Sequence, residues 1–164
     1  MTFLRLNAPS RTLYRPLWVL DTLATVYADA ESTRGSLGLT EVLAPRGSGS
    51  TLHTHTREDE AFFVLDGRLR LWFGENLRSS LTEAGELRFL PRNKPHAFEV
   101  DSPTARFFVI SSPAGFEEFY RLLGRDAKNS DIPPAGLEKV DSSQPLHVLT
   151  KLGVKVHGPR PDVQ

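Results

Sequence analysis

Between Gly47 and Gly67 the chain sets two histidines and a glutamate in a glycine frame: five residues, His53, Thr54, His55, four residues, Glu60, then six residues to Gly67. On an extended strand residues two apart share a face, so His53 and His55 present both imidazoles to one point. A short turn through Thr56, Arg57, Glu58 and Asp59 brings the chain back with Glu60 beside them. Three nitrogen or oxygen ligands of matched parity result. A second punctuated stretch runs from Gly85 through five residues to Pro91, Arg92 and Asn93, then two residues to His96, a fourth candidate ligand. A chain built on these spacings needs short strands and tight turns that converge on one point.

The absence of cysteine narrows the chemistry of that point. Disulfides, thiolate ligands and cysteine nucleophiles are all excluded, so a metal here rests on imidazole and carboxylate. Such ligands suit Fe, Ni, Mn, Co, Cu or Zn, and the expected cofactor is one divalent transition-metal ion of that group. Lys plus Arg equals Asp plus Glu at 20 each, so no whole-chain field favours nucleic acid or an anionic membrane. The first nine residues hold no apolar run of signal-peptide length, and no stretch approaches the roughly 20 apolar residues of a membrane span. A cytoplasmic protein is the expectation. With 164 residues and 39% hydrophobic content, one domain over 1–164 with a real core is expected.

Taken in order, residues 13–27 read as two short strands and Asp29 to Gly35 as a polar loop. Leu37 to Leu43 makes a strand of mixed parity whose ends are set by Gly35 and Pro45. The run from Arg46 to Ser50 lacks the Gly-Lys-Ser/Thr ending of a phosphate loop and reads as the approach to the histidine strand. Next, Glu60, Phe62 and Val64 share one face while Ala61, Phe63 and Leu65 share the other, so this strand is covered on both sides. Asp66-Gly67 predicts a two-residue hairpin. Beyond it Leu69, Leu71 and Phe73 are expected to point inward, with Arg68, Arg70 and Trp72 outward.

Turns at 74–76 and 83–85 bracket a return strand, Leu87 to Leu90 runs to the Pro91 turn, and His96, Phe98 and Val100 share a face. The expected substrate pocket is walled by Phe62, Phe73 and Phe98. Arg106 to Ile110 is a closing strand, again apolar on both parities. Phe116, Phe119, Tyr120 and Leu123 then recur at helical spacing, with Ser112 as cap, Pro113 at the first position and Gly124 past the end. A polar connection over 125–140 leads to a second helix over 143–152, with Pro145 in its first turn and Gly153 ending it. His147 and His157 read as surface residues, and Glu58 and Asp59 as a solvated turn.

With these residues in place, the chain resembles the cupin superfamily, whose two motifs have these spacings. Within it, residues 57–67, 91–98 and 112–117 look most like bacterial quercetin 2,3-dioxygenase-like proteins, over roughly Leu17 to Gly124. Asn93 stands where the second motif usually has Gly, and Asn tolerates the left-handed conformation that turn needs. Val100 stands where the motif usually has Asn, past the ligands. The resemblance implies an all-β cupin double-stranded β-helix, a jelly-roll barrel over about 13–112, with short C-terminal helices packed on it over about 113–164. It carries His53, His55, Glu60 and His96 over as metal ligands, and Glu60 as the catalytic base that takes a substrate hydroxyl proton.

The implied activity is a metal-dependent dioxygenase acting on a small aromatic or enolic, flavonol-like substrate together with dioxygen. Alternatives are a non-redox metal-dependent isomerase or lyase, and a non-catalytic cupin that binds a metal or small molecule. Sugar-phosphate versions need inward Lys or Arg, and the inward sets above lack them. Phe63 and Phe108 lie on faces that a lone barrel leaves partly exposed, which predicts a homodimer.

Overall fold

Alternation at period two builds β3 (Gly38–Pro45), where Gly38, Thr40, Val42 and Ala44 are buried and the residues between them half-buried. The computed structural model describes residues 14–74, 76–134 and 143–162. The expected limits of the domain, Glu75 of one turn, and 135–140 of the expected connection lie outside the described residues. Before β3 come β1 (Leu17–Val19) and β2 (Thr22–Ala28), and after it β4 (Leu52–His55), β5 (Asp59–Asp66), β6 (Arg68–Phe73) and β7 (Arg78–Glu83). β8 (Leu87–Leu90), β9 (Ala97–Val100) and β10 (Thr104–Ser112) follow, then α1 (Glu118–Leu123), β11 (Arg125–Asp126), α2 (Ser143–Lys151) and β12 (Val154–Gly158).

The strands form an all-β jelly roll with two short helices against it. One layer is a seven-stranded sheet in the order β11-β1-β2-β3-β10-β5-β8. Opposite it lie β7-β6-β9 and β12-β4, joined through isolated antiparallel bridges from His53 to His96 and from Gly49 to Glu99. Between the layers Val42, Phe62, Val64, Leu69, Leu71, Val100, Phe107 and Val109 are buried in one apolar cluster. β5 is apolar on both faces as expected: Phe62 and Val64 are buried, Phe63 is half-buried and Leu65 exposed. No helix among the described residues is long and apolar enough to cross a membrane.

Four expectations change. Asp66-Gly67 closes no hairpin, because β5 pairs with β10 and β8 while β6 pairs with β7 and β9. Gly67 is instead the corner where the chain changes sheet. Its φ is +78°, and a Cβ there would stand 2.3 Å from the carbonyl oxygen of Thr104, so the corner has no room for a side chain. In β6, Leu69 and Leu71 are buried as expected, but Trp72 on the opposite face is buried too, at 1% exposure.

The first helix starts later than its apolar period suggests. Ser112 ends β10, and helix α1 begins only at Glu118, without a side-chain cap. The Glu117 carboxylate accepts the amide hydrogens of Ala30 at 2.9 Å and Gly115 at 2.7 Å, which pins the preceding turn outside helical geometry. α2 matches its expected bounds, with Gly153 at φ +82° ending it. After it comes β12, an element not expected from the sequence, although Val154 and Val156 alternate with Lys155 and His157 there.

Candidate metal centre

β4 places His53 and His55 two residues apart, and both rings are buried. Glu60 enters from β5, at 3% exposure. His96 precedes β9 and is locked against His53 by two backbone hydrogen bonds, His53 N–H to His96 O at 3.0 Å and the reverse at 2.9 Å. The turn that delivers it contains Asn93 at φ +63°, whose N–H donates to His55 O at 2.8 Å. Asn therefore takes the left-handed position otherwise suited to glycine. Asp59 and Arg92 brace the same turn. The Arg92 Nη2 and backbone N–H each reach the Asp59 carboxylate at 2.8 Å, and Nε reaches it at 3.1 Å.

The donor atoms of His53, His55, Glu60 and His96 all lie within 4.8 Å of one another. Nε2 of His53 is 3.2 Å from Nε2 of His55, Nε2 of His96 is 3.2 Å from Glu60 Oε2, and Nε2 of His55 is 3.8 Å from Glu60 Oε1. Carbonyl oxygens fix two of the ring tautomers. His53 Nδ1 donates to Thr51 O at 2.8 Å and His96 Nδ1 to Lys94 O at 3.1 Å, since a carbonyl only accepts. Their Nε2 lone pairs are thereby turned on the other donors. Donors about 2.0–2.2 Å from one ion stand roughly 3–4 Å apart, so the cluster fits a transition metal.

The electrostatics agree with that fit. Burial, followed by the adjacent His96 ring, lowers the pKa of His53 to about 4, which keeps this imidazole neutral near pH 7. Burial on its own pushes the Glu60 carboxyl up. The facing rings of His55, His96 and His53 outweigh it and bring the Glu60 pKa to about 2. His55 is the exception among the rings. Burial opposes its charge, but Glu60 and Glu58 together hold its pKa above the ordinary histidine value. Glu58 is no solvated turn residue, as it is 3% exposed and places Oε2 3.4 Å from His55 Nδ1. Asp59, by contrast, is half-buried and paired with Arg92.

A cavity of about 390 Å³ opens onto His53 and Glu60. Phe62, Phe98 and Phe107 wall it from the strands, with the Phe62 and Phe98 ring centroids 5.0 Å apart. Phe116, Phe119 and Tyr120 wall it from the α1 region, Leu146 and Leu149 from α2, and Val156 from β12. No Lys or Arg lines it among the described residues. Phe73, expected in this pocket, instead lines a separate cavity of about 310 Å³ with Leu90, Pro91 and His96. His147 and His157 are exposed, though His157 Nε2 lies 2.7 Å from the Thr54 hydroxyl.

Two residues next to the site carry no sequence signal of a site role. Glu58 precedes Glu60 within a charged run, so its burial is invisible to periodicity. Tyr120 reads as an apolar helix position, yet it is buried at the cavity wall and makes no hydrogen bond through its hydroxyl among the described residues. Burial and then the Glu60 charge raise its pKa, so the phenol stays a neutral donor.

Residues 39–111, which run from β3 to β10 and include all four candidate ligands, match the Cupin domain family. The chain carries a cupin domain. The chain is similar to quercetin 2,3-dioxygenase from Bacillus subtilis (strain 168), 26% identical over 140 residues, covering 85% of this chain and 40% of that protein. It is also similar to quercetin 2,3-dioxygenase from Aspergillus japonicus, 28% identical over 94 residues, covering 56% of this chain and 27% of that protein. The chain thus spans less than half the length of either relative. Among solved structures, KdgF from Halomonas sp. is similar with a TM-score of 0.53 at 18% identity, covering 60% of this chain and 84% of that one. Oxalate decarboxylase from Bacillus subtilis matches with a TM-score of 0.53 at 20% identity, covering 63% and 28%. These structures share the fold.

Proposed function

We propose that this cupin is a metal-dependent dioxygenase of a small aromatic or enolic substrate, with His53, His55, Glu60 and His96 as ligands to one divalent ion. The supporting observation is a buried three-histidine, one-glutamate donor set that faces an aromatic-walled cavity without a cationic lining residue. Such walls suit planar apolar rings, whereas a dicarboxylate or sugar acid would leave its charges unpaired there. The similarity to two quercetin 2,3-dioxygenases points the same way. When bound, the ion supplies a Lewis acid that acidifies a substrate hydroxyl and a centre for reaction with dioxygen.

The protein groups then divide the remaining work. Phe62 and Phe98 orient the ring and exclude water, Glu60 accepts the hydroxyl proton, and Tyr120 offers a neutral hydrogen-bond donor beside it. The chain acts as a homodimer in this reading, since Leu87 and Phe89 of β8 are 52% and 58% exposed at the outermost strand of the large sheet.

Elemental analysis of purified protein, followed by dioxygen uptake on a panel of flavonols, catechols and diketones, tests the activity. About one transition-metal ion per chain and substrate-dependent uptake are expected. Metal-loaded protein that consumes no dioxygen with any of these compounds overturns the dioxygenase reading and leaves a non-redox or binding cupin.

A further inference from the structure

The three ligand histidines are not held alike. His53 and His96 rest their Nδ1 atoms on backbone carbonyls, of Thr51 and Lys94, which are neutral and fixed by the chain. His55 has no such carbonyl. Its Nδ1 faces Glu58 Oε2 at 3.4 Å, and neither atom has a hydrogen-bond partner elsewhere. Both side chains are almost completely enclosed, at 1% and 4% exposure. A carboxylate buried beside a ring nitrogen, with no other partner for either, is costly unless the two serve each other.

We propose that Glu58 is a positioning residue of the metal centre: its carboxylate accepts the Nδ1–H of His55, fixes the ring with Nε2 toward the ion, and adds a second negative charge behind it. This rests on the metal reading given above. A formed charge-assisted N–H···O bond measures about 2.7–2.9 Å, so the pair tightens by a small ring rotation when His55 is held at Nε2. Three neutral imidazoles and one carboxylate leave a divalent ion with one uncompensated positive charge in a buried site. Glu58 removes that excess, and its hydrogen bond makes His55 a stronger donor than its two neighbours. Phe116 seals the arrangement, with its ring edge-on to His55 at 4.6 Å between centroids.

Two variants separate hydrogen bond from charge. Glu58→Gln keeps an acceptor oxygen and loses the charge, and Glu58→Leu removes both. Zn(II) dissociation constants from chelator competition should weaken by about 10-fold in Glu58→Gln and about 100-fold in Glu58→Leu, the range found for partners of ligating histidines. With Cu(II) bound, pulsed electron paramagnetic resonance reads the remote ring nitrogens, and the signal of one of the three should shift between the parent protein and Glu58→Leu while the other two stay in place. Circular dichroism verifies folding, and Glu58→Gln carries the test if Glu58→Leu does not fold. Parent protein that binds neither ion overturns the metal reading and this inference with it. Tight binding by the parent, with variant affinities within twofold or with unchanged remote-nitrogen signals, overturns the role of Glu58 alone.

Discussion

Glu60 is the one proposed ligand able to change its protonation during turnover. With a pKa held to about 2, it is a weak base until a substrate hydroxyl beside it has been acidified. The walls from Phe62 and Phe98 then make a neutral carboxylic acid less costly than in water. Glu60→Gln should therefore keep a substantial part of the metal on the three histidines yet lose at least about 100-fold in turnover per bound ion. Unchanged turnover per ion, with metal measured in both proteins, would rule the base role out.

Its chain neighbour Asp59 acts on structure instead. Hydrogen bonds from the Arg92 side chain and then its backbone lower the Asp59 pKa from 3.8 to about 2. A depressed folded value means that the stabilisation is complete above the unfolded pKa and fades as pH falls through the folded one. The gap in urea midpoint between the parent and Asp59→Asn should thus be constant above about pH 5 and close between about pH 4 and pH 2. A gap that persists at the acid end contradicts the pairing as its source.

Among the elements, β12 and the two helices decide how the cavity ends. β12 pairs along β4, with Val154 opposite His55 and Val156 opposite His53, so the last strand stiffens the one that carries two proposed ligands. Gly153 makes the link from α2 possible. Its φ of +82° suits glycine, and a Cβ there would stand 2.8 Å from the Thr56 hydroxyl and 2.9 Å from Arg57 Nε. Gly153→Ala should cost at least about 1 kcal/mol in thermal or urea unfolding, and it should weaken metal binding through β4. An unchanged melting temperature would show that the junction relaxes freely. The late start of α1 has a similar origin, since Glu117 spends its carboxylate on Ala30 and Gly115 and holds Phe116 over His55 instead of inside a helical turn.

At the scale of the whole molecule, the outer face of the seven-stranded sheet stays apolar where β8 pairs with β5, Leu87 opposite Phe63 and Phe89 opposite Ala61. Sedimentation at micromolar concentration should give a dimer, and Phe89→Glu should shift it toward monomer, because a charge on a closed apolar face is desolvated without a partner. A monomer in the parent protein ends that proposal. The cupin fold and the convergence of His53, His55, Glu60 and His96 were legible in sequence, because strand parity and fixed turn spacing are local properties of the chain. Asn93 was legible for the same reason, as a residue that tolerates the turn it occupies. Tertiary structure alone decided what depends on neighbours distant in the chain: that Gly67 is a corner between sheets, that Trp72 is buried on the outer parity, and that Phe73 faces a different cavity from Phe62. It also decided that Glu58 is enclosed against His55 and that residues 154–158 pair with the strand of His53 and His55. Burial and partner choice are set by which elements close over a side chain, and that information is not carried by the residues beside it.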